Sequence, residues 1–88
     1  MKNWKISDHA KDRLQDRSIP NPIGLQLSKA TDRIIRLCKA TCKMAFCPTM
    51  TYYFHSDKGT TYIYVASLKE GFPLLITAFR FGLKKVSL

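Results

Sequence analysis

The sequence predicts an α+β domain: two N-terminal helices packed on one face of a three- to four-stranded antiparallel sheet. Two observations carry this. Apolar residues recur at helical spacing as far as about Ala40. Beyond it the chain turns β-branched and aromatic, with turn residues at short intervals. No linker, internal repeat or low-complexity stretch interrupts the 88 residues, so 1–88 reads as a single domain.

Lys2 to Ile6 reads as a short strand or extended arm, with Trp4 and Ile6 on the same face. The first helix follows. Ser7 is its N-cap and Asp8 sits in the first turn, where the helix dipole favours an anion. Pro20 ends it by Ser18 or Ile19. At roughly 100° per residue this helix sorts into rows. Asp8, Asp12 and Asp16 form one, His9, Arg13 and Arg17 the next, and Ala10 with Leu14 the apolar face. The His/Arg row lies between the wet face and the buried one, where it can line a cleft while the helix stays anchored. An imidazole beside two guanidiniums suits phosphate chemistry. The same row could also do no more than solvate the helix.

Asn21-Pro22 reads as the start of a second helix, carried over four turns by Ile23, Leu27, Ala30, Ile34 and Leu37. Lys29, Arg33 and Arg36 share one row on it, either a solvated basic face or an edge that tracks phosphates. Lys43 to Cys47 reads as a strand stopped by Pro48, and Thr51 to His55 as another. Asp57-Lys58-Gly59 reads as a hairpin loop, with Thr60 to Ala66 as the returning strand. Lys69 to Pro73 is the next turn. Leu74 to Phe81 is a nearly continuous apolar run, the pattern of a central strand covered on both faces. Lys84-Lys85 add a basic tail.

The formal charge of +9, from 15 basic and 6 acidic residues, points to a polyanionic partner, most simply nucleic acid. No apolar run follows Met1-Lys2-Asn3-Trp4-Lys5, and no stretch approaches the ~20 apolar residues of a membrane span. Three cysteines without a framework spacing fit a reducing, cytoplasmic setting. Cys38, Cys42 and Cys47 with His55 do not have a standard zinc spacing, and no metal or other cofactor is expected. None of the cysteines has a sequence context that lowers a thiol pKa.

Metal-free phosphodiester cleavage fits these residues best. It needs a group to take the ribose 2′-hydroxyl proton, cations for the phosphorane, and a donor for the leaving oxygen. His9 can be base or acid, Arg13, Arg17 and Arg80 the cations, and Thr77 a hydrogen-bond donor to phosphate. His55 or a tyrosine among Tyr52, Tyr53, Tyr62 and Tyr64 can carry the second proton, and Tyr62 or Tyr64 can stack on a base.

The run His9-Ala10-x3-Arg13-x3-Arg17-x-Ile19, followed by a second helix and strands ending in Ile76-Thr77-Ala78-Phe79-Arg80, resembles a group of small bacterial domains. They are the RelE-like and BrnT-like toxins of the barnase–EndoU–colicin–RelE ribonuclease superfamily, and the likeness covers about Ser7 to Phe81. It implies a metal-independent endoribonuclease restrained by a small antitoxin or immunity protein, with His9, Arg13, Thr77 and Arg80 as the positions carried over. Phe79 stands where such domains frequently have tyrosine, and it cannot exchange a proton. Strand alternation also sets Thr77 and Arg80 on opposite faces unless a bulge intervenes. A non-catalytic module binding nucleic acid or an acidic protein is the rival reading, and a degenerate interaction domain a third.

Overall fold

A computed structural model describes residues 4–69 and 71–82. Its elements, in order, are β1 (Lys5–Ile6), α1 (Asp8–Asp16), β2 (Ser28–Lys29), α2 (Asp32–Cys42), β3 (Thr51–Asp57), β4 (Thr60–Ser67) and β5 (Leu74–Gly82). The strands form one five-stranded sheet in the order β1-β5-β4-β3-β2. It is mixed: β1 runs parallel to β5, and the remaining pairs are antiparallel.

This overturns the expectation of a three- to four-stranded antiparallel sheet with both helices on one face. β1 and β2 have only two residues each: β1 is the short strand expected between Lys2 and Ile6, with Trp4 and Ile6 in one core, and β2 is too short to leave a period of its own. The helices also part company. Ala10 and Leu14 of α1 pack with Tyr64 and Ala66 of β4 and Leu75 and Ala78 of β5. Cys38, Ile34, Ile35 and Leu37 of α2 pack with Ile63, Val65, Phe79 and Phe81. Alternate residues of the same strands therefore feed two cores, one on each side of the sheet. β4 sits between them and is buried along most of its length. It occupies the central position expected for Leu74 to Phe81. β5 has both faces covered, but on its outer side, among the described residues, only Leu74 and Leu75 pair with a strand.

Ser7 caps α1 as expected, its hydroxyl accepting from the Ala10 amide at 3.1 Å. The helix ends in a left-handed residue, Ser18, at φ 54°. The Ile19 amide reaches back to the Leu14 carbonyl and the Ser18 amide to that of Gln15. These are the paired bonds of a Schellman ending, and Leu14 and Ile19 pack together in the core beneath it.

No helix begins at Asn21-Pro22. The Asn21 side chain accepts from the Ile23 amide at 2.9 Å, an Asx turn, and Gly24 follows at φ +90°. Leu27 and Ala30 instead pack against opposite cores from a connecting segment that includes β2, and Ile23 is exposed. α2 begins at Asp32, after Thr31, whose hydroxyl accepts from the Ile34 amide. Lys29 thus lies on β2, and the row of Lys29, Arg33 and Arg36 does not exist as a helical face. Residues 43–47 are not a strand: Lys43 takes a left-handed conformation at φ 58° and closes α2, and an irregular connection leads to β3. The hairpin forms where expected, Lys58 and Gly59 both having positive φ. Among the described residues, no helix is long and apolar enough to cross a membrane. Lys2, Asn3 and Lys84-Lys85 lie outside the described residues.

Candidate phosphate-binding cavity

Two residues of β1 dock beside the start of β5, and α1 leaves from there to run along the open edge of β5. Its Ala10 and Leu14 cover one face of the sheet. Its neighbouring row reaches around the edge toward the other face. There His9, Arg13 and Arg17 line a cavity of about 390 Å³ together with Thr77 and Phe79 of β5, Val65 of β4, Tyr52 of β3, and Met44, Ala45, Cys47 and Met50 of the α2–β3 connection. The volume falls within the ~300–1,000 Å³ of ordinary ligand sites. His9 is exposed at the rim, while Arg13, Arg17 and Thr77 are half-buried. Among the described residues the lining includes no Asp or Glu, and its permanent charges are the Arg13 and Arg17 guanidiniums.

Arg17 is the most tightly held of the three. Its Nη1 donates to the Ala78 carbonyl at 2.7 Å, and its guanidinium lies 4.7 Å from the Phe79 ring centroid. Two residues on, the Arg80 carbonyl accepts from the Cys42 thiol at 3.3 Å. Both carbonyls belong to the outer edge of β5, where no strand among the described residues supplies an amide, and side chains satisfy them instead.

The register shift of β5 falls opposite Val65 and Ala66, which pair with Thr77 and Leu75 and leave Ile76 as the extra residue. This bulge precedes Thr77, so the alternation from Thr77 to Arg80 is undisturbed. Thr77 and Phe79 face the cavity, and Arg80 faces away. Its Nη1 donates to the carbonyls of Arg17 and Ser18, at 3.3 and 3.4 Å, at the C-terminal end of α1. There a cation meets the negative end of the helix. Arg80 is therefore corrected from a catalytic cation to a support for α1.

The tyrosines offered for base stacking are also corrected. Tyr64 is completely buried in the core under α1, its hydroxyl donating to the Pro20 carbonyl at 2.7 Å. Burial pushes its phenol well above the usual range, so it neither stacks on a base nor trades a proton. Tyr62 lies on the same face, away from the cavity, with its ring parallel to that of His55 at 6.3 Å. His55 contacts the Gln26 carbonyl through Nδ1 at 3.2 Å and does not line the cavity. Lys29, Arg33 and Arg36 are exposed, and none of them lines it. Among the described residues, no three His, Cys, Asp or Glu side chains gather in one place.

Compared with protein-family models, curated proteins and solved structures, the chain finds no match.

Two cavity residues were unplaced or misjudged in the sequence: no one tyrosine was singled out, and the expectation that none of the cysteines has a lowered thiol pKa fails at Cys47. Tyr52 was one of four interchangeable tyrosines. Its buried hydroxyl accepts from the Cys47 amide at 2.7 Å and donates to the Cys47 carbonyl at 3.3 Å. It thereby pins the α2–β3 connection over β3. Cys47 has its Sγ 3.0 Å from the Thr49 hydroxyl. That hydrogen bond, with the backbone amides of Thr49 and Met50 and the charge of Lys69, holds the thiol below its ordinary value. The only trace in the sequence is a threonine two residues after the cysteine, a local side-chain pattern that is common in loops.

Proposed function

We propose that this chain is a toxin-like, metal-independent endoribonuclease of the RelE/BrnT-like kind, kept in check by a cognate antitoxin or immunity protein. One observation carries the reading: His9, Arg13, Arg17 and Thr77 share a single cavity. They come from two elements, 60 residues apart in sequence at the nearest. The strong net charge favours the polyanionic substrate.

In this scheme the RNA backbone lies across the cavity with one phosphate between Arg13 and Arg17. The His9 imidazole takes the proton from the ribose 2′-hydroxyl, and that oxygen attacks phosphorus. The guanidiniums stabilise the charge of the phosphorane, and Thr77 donates a hydrogen bond to a non-bridging oxygen. The bond from phosphorus to the 5′-oxygen breaks, and the leaving oxygen takes its proton from water at the open rim. The products are a 2′,3′-cyclic phosphate and a 5′-hydroxyl. Cys47 and Tyr52 shape the wall beside the phosphate.

Purified protein is incubated with total RNA in EDTA, beside His9→Ala. The reading expects cleavage by the wild type and a loss of about 10²-fold or more in the variant. Equal cleavage by both proteins, or none by the wild type, refutes it.

A second reading, a non-catalytic RNA-binding module, draws support from Arg17 and Arg80. Both guanidiniums already hold backbone carbonyls, which, among the described residues, leaves Arg13 as the arginine of the row with the freest head. Salt-dependent RNA binding without cleavage distinguishes it.

A further inference from the structure

The cationic cavity has a neighbour. A second cavity of about 220 Å³ is lined by Met50, Ser67, Lys69, Phe72, Leu74 and Ile76. Met50 and Ile76 line both cavities, so the two form one trough along this side of the sheet. The bulge at Ile76 makes the junction, because an extra residue there turns the strand between the two depressions.

The chemistry changes along the trough. One end carries His9, Arg13 and Arg17. The middle is apolar. The far end offers an aromatic ring, a hydroxyl and the exposed Lys69 ammonium, and the Lys5 ammonium lies 4.9 Å from the centroid of the Phe72 ring. Among the described residues no carboxylate lines either part. At 220 Å³ the second cavity is smaller than the ~300 Å³ at the low end of free-ligand sites. Its size suits one fragment of a larger ligand already held next door. Alternating cations and apolar or aromatic surface along a groove is how single-stranded nucleic acid is held without base pairing.

We propose that this second cavity takes the nucleotide next to the cleaved dinucleotide, with its base against Phe72 and Met50 and its phosphate at Lys69. The inference rests on the reading of the first cavity as an RNA phosphate site. It makes the substrate a single strand at least three nucleotides long, since a base held in a duplex cannot enter the trough.

The test is an NMR titration with 2′-O-methyl oligoribonucleotides, which cannot be cleaved, two and three nucleotides long. The third nucleotide is expected to tighten binding by about fivefold or more, in line with one stacked base. It is expected to move the amide resonances of Lys69 and Phe72, which the dinucleotide leaves in place. Phe72→Ala removes this gain and keeps dinucleotide affinity. Lys69→Gln, at an exposed position that the fold does not depend on, does the same in part. Unmoved resonances at Lys69 and Phe72, or equal losses for both lengths in the variants, overturn the inference, as does a wild type that binds neither. Stepwise binding by a protein that leaves total RNA intact would sustain the second cavity and refute the ribonuclease reading. Cleavage without the step would do the reverse.

Discussion

Arg17 both lines the cavity and holds the edge of β5, and substitution separates the two roles. Lysine keeps the charge but cannot bond the Ala78 carbonyl and lie over Phe79 at once. Arg17→Lys is expected to lose about 1.5–3 kcal/mol of stability in urea denaturation, the range for a hydrogen bond to a charged group. His9→Ala, at an exposed rim, is expected to leave the urea midpoint in place while removing the proposed RNA cleavage. Cys47 gives a second handle at this scale. Its thiolate is stabilised by the Thr49 hydroxyl, so the rate of iodoacetamide modification should rise with pH through a midpoint below the ordinary 9.0. Thr49→Val should move that midpoint upward. Cys38, whose thiol burial pushes up to about 12, should stay unmodified in the folded protein. Of these residues, the sequence exposes the His9, Arg13 and Arg17 row plainly, because helical spacing alone aligns it. It hides Cys47, whose environment comes from a loop with no period, and it misassigns Arg80, whose partner is the end of a helix 62 residues away.

Among the elements, legibility follows length and local chemistry. α1, β3, β4 and their hairpin are read from Ser7, from the aromatic and β-branched runs, and from Lys58-Gly59. All of these signals lie within the element itself. β1 falls within the Lys2 to Ile6 stretch read as a strand or arm, whereas β2 is not readable, since its two residues gain strand geometry only from a partner distant in sequence. The false helix from Asn21 arose because Ile23, Leu27 and Ala30 match a helical period that the Asx turn and Gly24 break. Thr31-Asp32 was the better start signal, a capping hydroxyl followed by a first-turn acid. The C-terminal end of α1 offers a prediction of its own. Ser18 holds the left-handed position of the Schellman ending, at φ 54°, where a side chain crowds the following carbonyl. Ser18→Gly is expected to stabilise the protein by about 0.5–1 kcal/mol, after the entropy glycine adds to the unfolded chain. Thermal denaturation should show a small rise in Tm, with the cavity and its chemistry unchanged.

At the scale of the whole molecule, the question is whether RNA meets the trough or the basic surface in general. A net charge of +9 would attract RNA to any side of so small a domain. Salt dependence separates the cases. If three cations, Arg13, Arg17 and Lys69, meet phosphates of a single strand, log Kd should vary with log salt with a slope of magnitude about 2, since each contact contributes about 0.7. Arg13→Gln should lower that magnitude by about 0.7. Arg80→Gln is the internal control, because Arg80 points to the other side of β5 and bonds the end of α1. It should reduce stability and leave the slope alone. Arg33→Gln on α2, exposed and outside both cavities, should behave as Arg80→Gln does in binding, without the loss of stability. A slope that falls equally for every arginine removed would instead mean that RNA coats the domain without choosing a face. The shared cavity of His9, Arg13 and Thr77 would then have no ligand to act on, since cleavage requires one phosphate held beside the imidazole longer than its neighbours are.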